Sequence, residues 1–430
     1  MKHLISHLLA ILLLSIFILS FSWIWHWCSV DPKSSKWPDI INHDNHLDCL
    51  LIGSSHVQRS LSPTIFHEYT QQTCFNVGTG SQPYDASLLF LQEAIKHHQI
   101  KTVYLEMYHH IWTTAPYSQR TDLNKLYAAL DGAPWTIDKI TTLLHASHAS
   151  HYVNSFLPVR RFALNIFNLS QDKEYFLTRL TALRRPQTSP YIADYGFLQE
   201  TKPNRDRLYV DTATTSIDIT HASSTDSYRT LQQIAQLAHQ HGINLVLFMQ
   251  PELPTRIYYR PNYQAYHDMI ADFADEYHLP FYDFNFVKAS YFDVSDPNLF
   301  YADDHLTVAG AEKFSQLFGQ LISGEVSADD IFYPDLATTI QQAPPAVYGI
   351  ARQYANDQVT AKLVAHQRDH LAYQVYHQAE GSHSAELLLD WTNQEQFTYP
   401  ATMDSEIVVT WHRDNDEHQF VLPGWLPPSQ

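Results

Sequence analysis

Two short segments, far apart in the chain, carry residues whose types and spacing could do chemistry: Leu50-Leu-Ile-Gly-Ser-Ser-His56 and Asp303-Asp-His-Leu-Thr-Val-Ala-Gly310. The first is an apolar run that breaks at Gly53 into two serines. The second places acids directly before a histidine, at the start of an amphipathic stretch. A serine hydroxyl becomes a nucleophile when an imidazole takes its proton, and the imidazole is held in the right tautomer by a carboxylate. The chemistry these segments suggest is acyl transfer through a covalent acyl-serine.

Such groups need elements that deliver them to one cleft. Continuous apolar runs predict buried strands at Cys49–Ile52, Phe75–Val77, Thr102–Met107, Ile243–Met249 and Phe281–Phe284. Between them, helical spacing predicts helices carrying Leu88, Leu91 and Ile95; Leu231, Ile234, Ala235 and Ala238; residues Tyr263–His278; and Phe314, Leu317, Phe318 and Leu321. Alternating strands and helices imply a parallel sheet covered on both faces, with ligands bound beyond the carboxyl ends of its strands. Ser55, Gly78 to Ser81, His109-His110 and Gln250 all follow strand ends.

The rest of the chain sets limits. With 27 Lys+Arg against 45 Asp+Glu the formal charge is −18, which excludes a nucleic-acid or polybasic surface role. The chain has 26 histidines, so no single one carries weight without a partner. Leu8 to Trp27 contains no Asp, Glu, Lys or Arg, a run long enough to cross a hydrocarbon core of roughly 30 Å. Trp23, Trp25 and Trp27 mark its outer end, and no small-residue cleavage site follows, so residues 1–27 read as an uncleaved anchor. Lys2 inside implies an extracytoplasmic body. Residues 28–46 read as a linker, 47–323 as the α/β domain, 324–345 as a second linker, and 346–430 as a small β module of period-2 strands. Residues 110–224 interrupt the α/β rhythm and read as a helical insertion capping the cleft. Cys49 and Cys74 each stand at a strand; if those strands are neighbours the thiols can form a disulfide, the alternative being two buried free thiols.

Three blocks in order, Gly53-Ser54-Ser55-His56, Asn76-Val-Gly78-Thr-Gly80-Ser-Gln82 and Asp303-Asp-His305-Leu-Thr-Val-Ala-Gly310, resemble the SGNH (GDSL-like) hydrolase superfamily over about residues 47–323. The resemblance is to its membrane-anchored members associated with cell-surface polysaccharide and teichoic-acid assembly. It implies a flavodoxin-like three-layer fold and makes Ser55 the nucleophile, His305 the base and Asp303 the acid, with Asp304 left open. The usual acid position, three before the histidine, is Ala302 here. The oxyanion donors would be the amide of Ser55 and that of Gly80 or Ser81, and Asn76, which begins that block, would join them as a binding residue. The family's Gly-x-Asn-Asp block is absent, and Glu106-Met-Tyr-His-His110 stands after the third strand, so a His or Tyr, such as His110, would replace the Asn donor. Implied partners are a cell-surface polysaccharide or teichoic acid and, for a transferase, a multi-span membrane acyltransferase. The alternatives are an anchored non-catalytic glycan-binding or assembly factor, or a D-alanine-transfer protein of teichoic acid pathways. No cofactor is expected. Glu106, His109 and His110 suggest a metal site, but neighbours at a strand end point apart, so none is expected there either.

Overall fold

Five strands form one parallel sheet in the order β2-β1-β3-β4-β5: β1 (Cys49–Ile52), β2 (Cys74–Asn76), β3 (Thr102–Glu106), β4 (Asn244–Met249) and β5 (Phe281–Asp283). The computed structural model describes residues 2–29, 36–41, 47–109, 123–157, 196–199, 216–219, 225–302, 304–355, 357–366, 371–379, 385–400, 405–413 and 416–423. The main helices are α1 (Lys2–Ser29), α2 (Ser55–Ser60), α3 (Pro63–Thr70), α4 (Tyr84–His97), α5 (Asp226–Gln240), α6 (Tyr263–Tyr277) and α7 (Val308–Ser323).

Strand side chains alternate between two separate cores, as a period of two requires. Leu50, Ile52, Val103, Leu105, Leu245 and Leu247 pack with α4, α5 and α6. Leu51, Tyr104, Val246 and Phe248 pack on the other side with Phe66 of α3 and with Phe314 and Phe318 of α7. The sheet is therefore sandwiched between helix layers, and its near-continuous apolar strands follow from burial on both faces. The order reverses at β1, whose neighbours are β2 and β3. A crevice opens beyond the carboxyl ends of strands at such a reversal, and the first serine block lies there.

Caps set the helix bounds. Thr225 accepts from the amide of Tyr228 at the start of α5, and Thr307 accepts from that of Gly310 at the start of α7. Gly324 ends α7 at φ +80°, a conformation glycine adopts without the cost a side chain imposes.

Cys49 and Cys74 are register partners on neighbouring strands and form a disulfide, closing a sequence separation of 25.

Parts of both expected linkers are helical and packed on the body. Residues 37–41 form a short helix with Trp37 and Ile40 in the core; Trp37 stacks on Phe90 at 4.0 Å and donates to the carbonyl of Ala129. Beside it, the buried Lys36 ammonium donates to the carbonyls of Asn76 and Gly196, both at 2.8 Å. Trp37 has too much apolar surface to leave in water, and this outweighs the polar residues around it. Residues 324–345 contain the helices Ala328–Ile331 and Leu336–Gln342, with Ile331 buried in the second core.

Only part of the expected insertion is among the described residues. Within residues 110–224 the described helices are Asn124–Leu130, Ile137–His145 and Tyr152–Phe156. The first two pack against α4, while the amide of Leu198 donates to the carbonyl of Gln58 in α2. Residues 158–195 of the insertion lie outside the described residues.

After a short hairpin, β6 (Phe300–Ala302) with β7 (His305–Leu306), come seven C-terminal strands among the described residues. These are β8 (Ala346–Ala355), β9 (Gln358–His366), β10 (Tyr373–Ala379), β11 (Ala385–Thr392), β12 (Gln396–Pro400), β13 (Ser405–Arg413) and β14 (Asp416–Pro423). They make two antiparallel sheets, β12-β9-β8 and β11-β10-β13-β14. Their inward residues, Val347, Val359, Tyr373, Ile407 and Trp411 among them, join the same buried cluster as Phe314 and Phe318, so this module is packed onto the α/β body. Strand β12 was not expected, although Phe397 and Tyr399 alternate with polar residues.

The N-terminal helix includes one segment, His3–Ile24, long and apolar enough to cross a membrane.

Candidate active site

Gly53 ends β1 where the chain must pass close to β3. A Cβ there would lie 2.5 Å from a Glu106 carboxylate oxygen and 2.4 Å from Val57. This tight turn leads directly into α2, so Ser55 stands on the first turn of a helix with its hydroxyl directed outward. Ser54 caps that helix, its hydroxyl accepting from the amide of His56.

His305 arrives from the opposite part of the chain on β7. It is held between the hairpin partner Ala302 and α7, whose Gly310 fits against the carbonyl of Leu299 with no room for a side chain. The result is direct contact: His305 Nε2 and Ser55 Oγ are 2.8 Å apart. On the other side of the ring, Nδ1 is hydrogen-bonded to Asp304 Oδ1. Serine, imidazole and carboxylate thus stand in the order a proton relay needs. Asp303, the expected acid, lies outside the described residues; the carboxylate against Nδ1 is that of Asp304, the residue just before the histidine. The main-chain carbonyl of Asp304 accepts from Gln250 Nε2 at 2.7 Å, and Asn285 ties Gln250 to the loop after β5. The end of β4 therefore fixes the acid.

Behind the relay lies a second acid–histidine pair. His56 Nδ1 is 2.8 Å from Glu106 Oε1, and both side chains are 1 % exposed. Glu106 Oε2 accepts from the amide of Ser54 at 2.6 Å. The far nitrogen of His56 is 3.5 Å from Asp304 Oδ2, an ion-pair distance rather than a good hydrogen bond. Tyr108 covers the His56 ring at 4.0 Å, and the His56 and His305 rings meet edge-on at 5.0 Å. Arg256 adds a guanidinium 3.9 Å from Asp304 and 3.7 Å from Glu252.

The charges follow from these distances. Burial alone would lower the His56 pKa, but Glu106 and Asp304 outweigh it and push it up to about 10, so the ring is an imidazolium. Burial would raise Asp304, yet its hydrogen bond to His305 and the nearby His56 charge hold it far below the usual carboxylate range. His305 is lowered, chiefly by burial, with the His56 charge adding and the Asp304 bond opposing. Glu252 is pushed up to about 7 by burial, partly offset by His56 and Arg256. His305 is therefore a neutral base at neutral pH, flanked by a fixed cation. Ligand atoms of His56, Asp304 and His305 lie within 4.8 Å of one another, but an imidazolium cannot ligate a metal until it gives up its proton.

The other expected residues divide. Gly80 and Ser81 sit on the exposed turn after β2, and their amides make no hydrogen bond among the described residues; nor does the amide of Ser55. The amides of Gly78 and Thr79 are taken by Asn76 Oδ1 and the carbonyl of Gly53. Asn76 is a buried strut rather than a binding group: its side-chain amide donates to the carbonyls of Val57 and Leu61, which clamps α2 to β2. This corrects its expected place among the binding residues, since a side chain with both ends so engaged has nothing left for a ligand. His110 lies outside the described residues.

Sequence reading passed over Glu252 and Arg256 as parts of the site, took Glu106 only as a possible metal ligand, and took His56 only as a cleft-lining neighbour of the serine. For Glu106 a signal existed: a carboxylate ending a wholly buried strand must find a cation, and His56 follows the serine block at the end of the adjacent strand.

No family model matches the chain, and no curated protein matches it. Solved structures similar to it include a modular endo-beta-1,4-mannanase from Cellulomonas fimi, at 9 % identity over 93 % of this chain and 98 % of that one, with a TM-score of 0.17. A double mutant of the Cellulomonas fimi endo-beta-1,4-mannanase stands at 10 % identity over 92 % and 98 %, with the same TM-score of 0.17. Likeness at this level carries no argument about fold or activity.

Proposed function

We propose that the protein is a membrane-tethered serine esterase or O-acyltransferase of SGNH type, acting on small acyl esters of a cell-surface glycan. The observation that carries the reading is the unbroken chain Ser55–His305–Asp304, with Ser55 Oγ and His305 Nε2 at 2.8 Å. Neutral His305 takes the Ser55 proton as Oγ attacks the ester carbonyl, while Asp304 holds the Nδ1 proton and stabilises the imidazolium. The oxyanion would be met by the amide of Ser55 and one from Gly80 or Ser81, the amides without other bonds among the described residues. His305 then gives its proton to the departing alkoxide, leaving an acyl-serine. Water or a sugar hydroxyl attacks that ester, with His305 again as base, and restores Ser55.

The disulfide supports an oxidising compartment for the body, and the apolar α1 supports a tether. The SGNH assignment rests on the three sequence blocks together with the β2-β1-β3-β4-β5 order. A multi-span acyl donor would be needed only for transfer, not for hydrolysis.

The test is p-nitrophenyl acetate hydrolysis by the wild type and by Ser55→Ala. Hydrolysis lost in the variant supports the reading, and equal rates in both proteins count against it.

A further inference from the structure

Apolar side chains in water are normally scattered, yet those of the insertion are concentrated. Ile137, Ile140 and Leu144 lie at the i, i+3, i+7 spacing of one helix stripe and are 79 %, 38 % and 39 % exposed, while the inward stripe buries Leu143. Val153 and Trp135 extend the patch. Of the helix's two charged side chains, Lys139 turns in to the carbonyl of Ala133, and Asp138 is paired with Lys96 at 2.5 Å. The amphipathic helix Ile137–His145 is thus turned apolar side out.

Its neighbour identifies the occupant. Trp135 and Phe156 line a cavity of about 710 Å³ whose other wall is Leu19, Ser20, Ser22, Trp23 and Ile24 of α1. Those residues are the last turns of the 22-residue apolar segment His3–Ile24. At about 1.5 Å per residue that segment matches the hydrocarbon thickness of a bilayer. Anything beside Leu19–Ile24 therefore lies at the headgroup–acyl boundary, where tryptophan and amphipathic helices settle.

We propose that the Trp135–Val153 face docks on the same bilayer that α1 crosses, with Ile137, Ile140 and Leu144 reaching the acyl boundary. The inference rests on the tether reading, and it fixes the orientation of the body: the sheet is held against the membrane through α4 and the insertion, not left on a free stalk.

The test uses the full-length chain in phosphatidylcholine vesicles, in a Cys28→Ser background, with a bimane fluorophore at Leu13→Cys, Ile137→Cys or Leu387→Cys in turn. Lipids brominated on the acyl chain are the quencher in the membrane and iodide the quencher in water. The expected result is strong lipid quenching at positions 13 and 137, severalfold above that at 387, with iodide acting at 387 alone. Quenching at 13 with 137 behaving like 387 overturns the docking and leaves the tether standing. Failure of quenching at 13 overturns the tether reading and the docking with it.

Discussion

Glu106 and His56 face each other at 2.8 Å with almost no exposure to water, directly beneath the serine block. This pair keeps His56 protonated at neutral pH beside Asp304, and so shapes the histidine that does the chemistry. It explains why a buried glutamate is tolerated at the end of β3, and why Tyr108 can close over an imidazole without leaving a bare charge.

Removing one member of the pair should damage the fold more than removing both. His56→Gln strands a buried carboxylate and is expected to cost about 3–5 kcal/mol, whereas His56→Gln with Glu106→Gln should recover part of that loss. Urea denaturation of the two variants decides it. Equal stabilities would mean the pair is not coupled.

The same double variant should change the pH profile. His305 is lowered by burial and by the His56 charge, so the acid limb of wild-type kcat/KM should fall below the ordinary imidazole value of about 6.5. Without the imidazolium at position 56, the limb should move to higher pH. A limb that stays in place would show that His56 does not act on His305.

His56 also ties stability to pH. Its folded pKa, about 10, lies above the unfolded value, so its contribution is fully present below about pH 6.5 and is lost as pH rises toward 10. Wild-type Tm should decline across that window more steeply than that of the double variant. Parallel curves would contradict the assignment of a charged ring.

Asp304→Asn should lower kcat by roughly 10³–10⁴-fold, because the amide cannot hold the Nδ1 proton as the carboxylate does. Asp303→Asn should leave kcat near wild type. The reverse pattern would return the acid to position 303.

Much of this was legible in the chain. Strands β1 to β4 announce themselves as continuous apolar runs because both faces of the sheet are covered, and the alternation with helices gives the layers. Ser55 and His305 were legible because each stands at an element end where few other roles fit. Asp304 was not separable from Asp303, since the choice depends on a two-strand hairpin, β6 with β7, too short to leave a periodic signal. Asn76 was misread for a related reason: a polar residue ending a strand looks the same whether it meets a ligand or, as here, two carbonyls of α2. The packing of Trp37 and the outward turn of Ile137–His145 depend on which surfaces are left uncovered, which only the assembled fold decides.

The most direct test of the relay is covalent. Full-length protein treated with a fluorophosphonate at neutral pH should gain a single adduct, mapped by peptide mass spectrometry to Ser55, and should gain none in Ser55→Ala or His305→Ala. An unmodified wild-type protein, or an adduct that persists when Ser55 is alanine, would contradict the account.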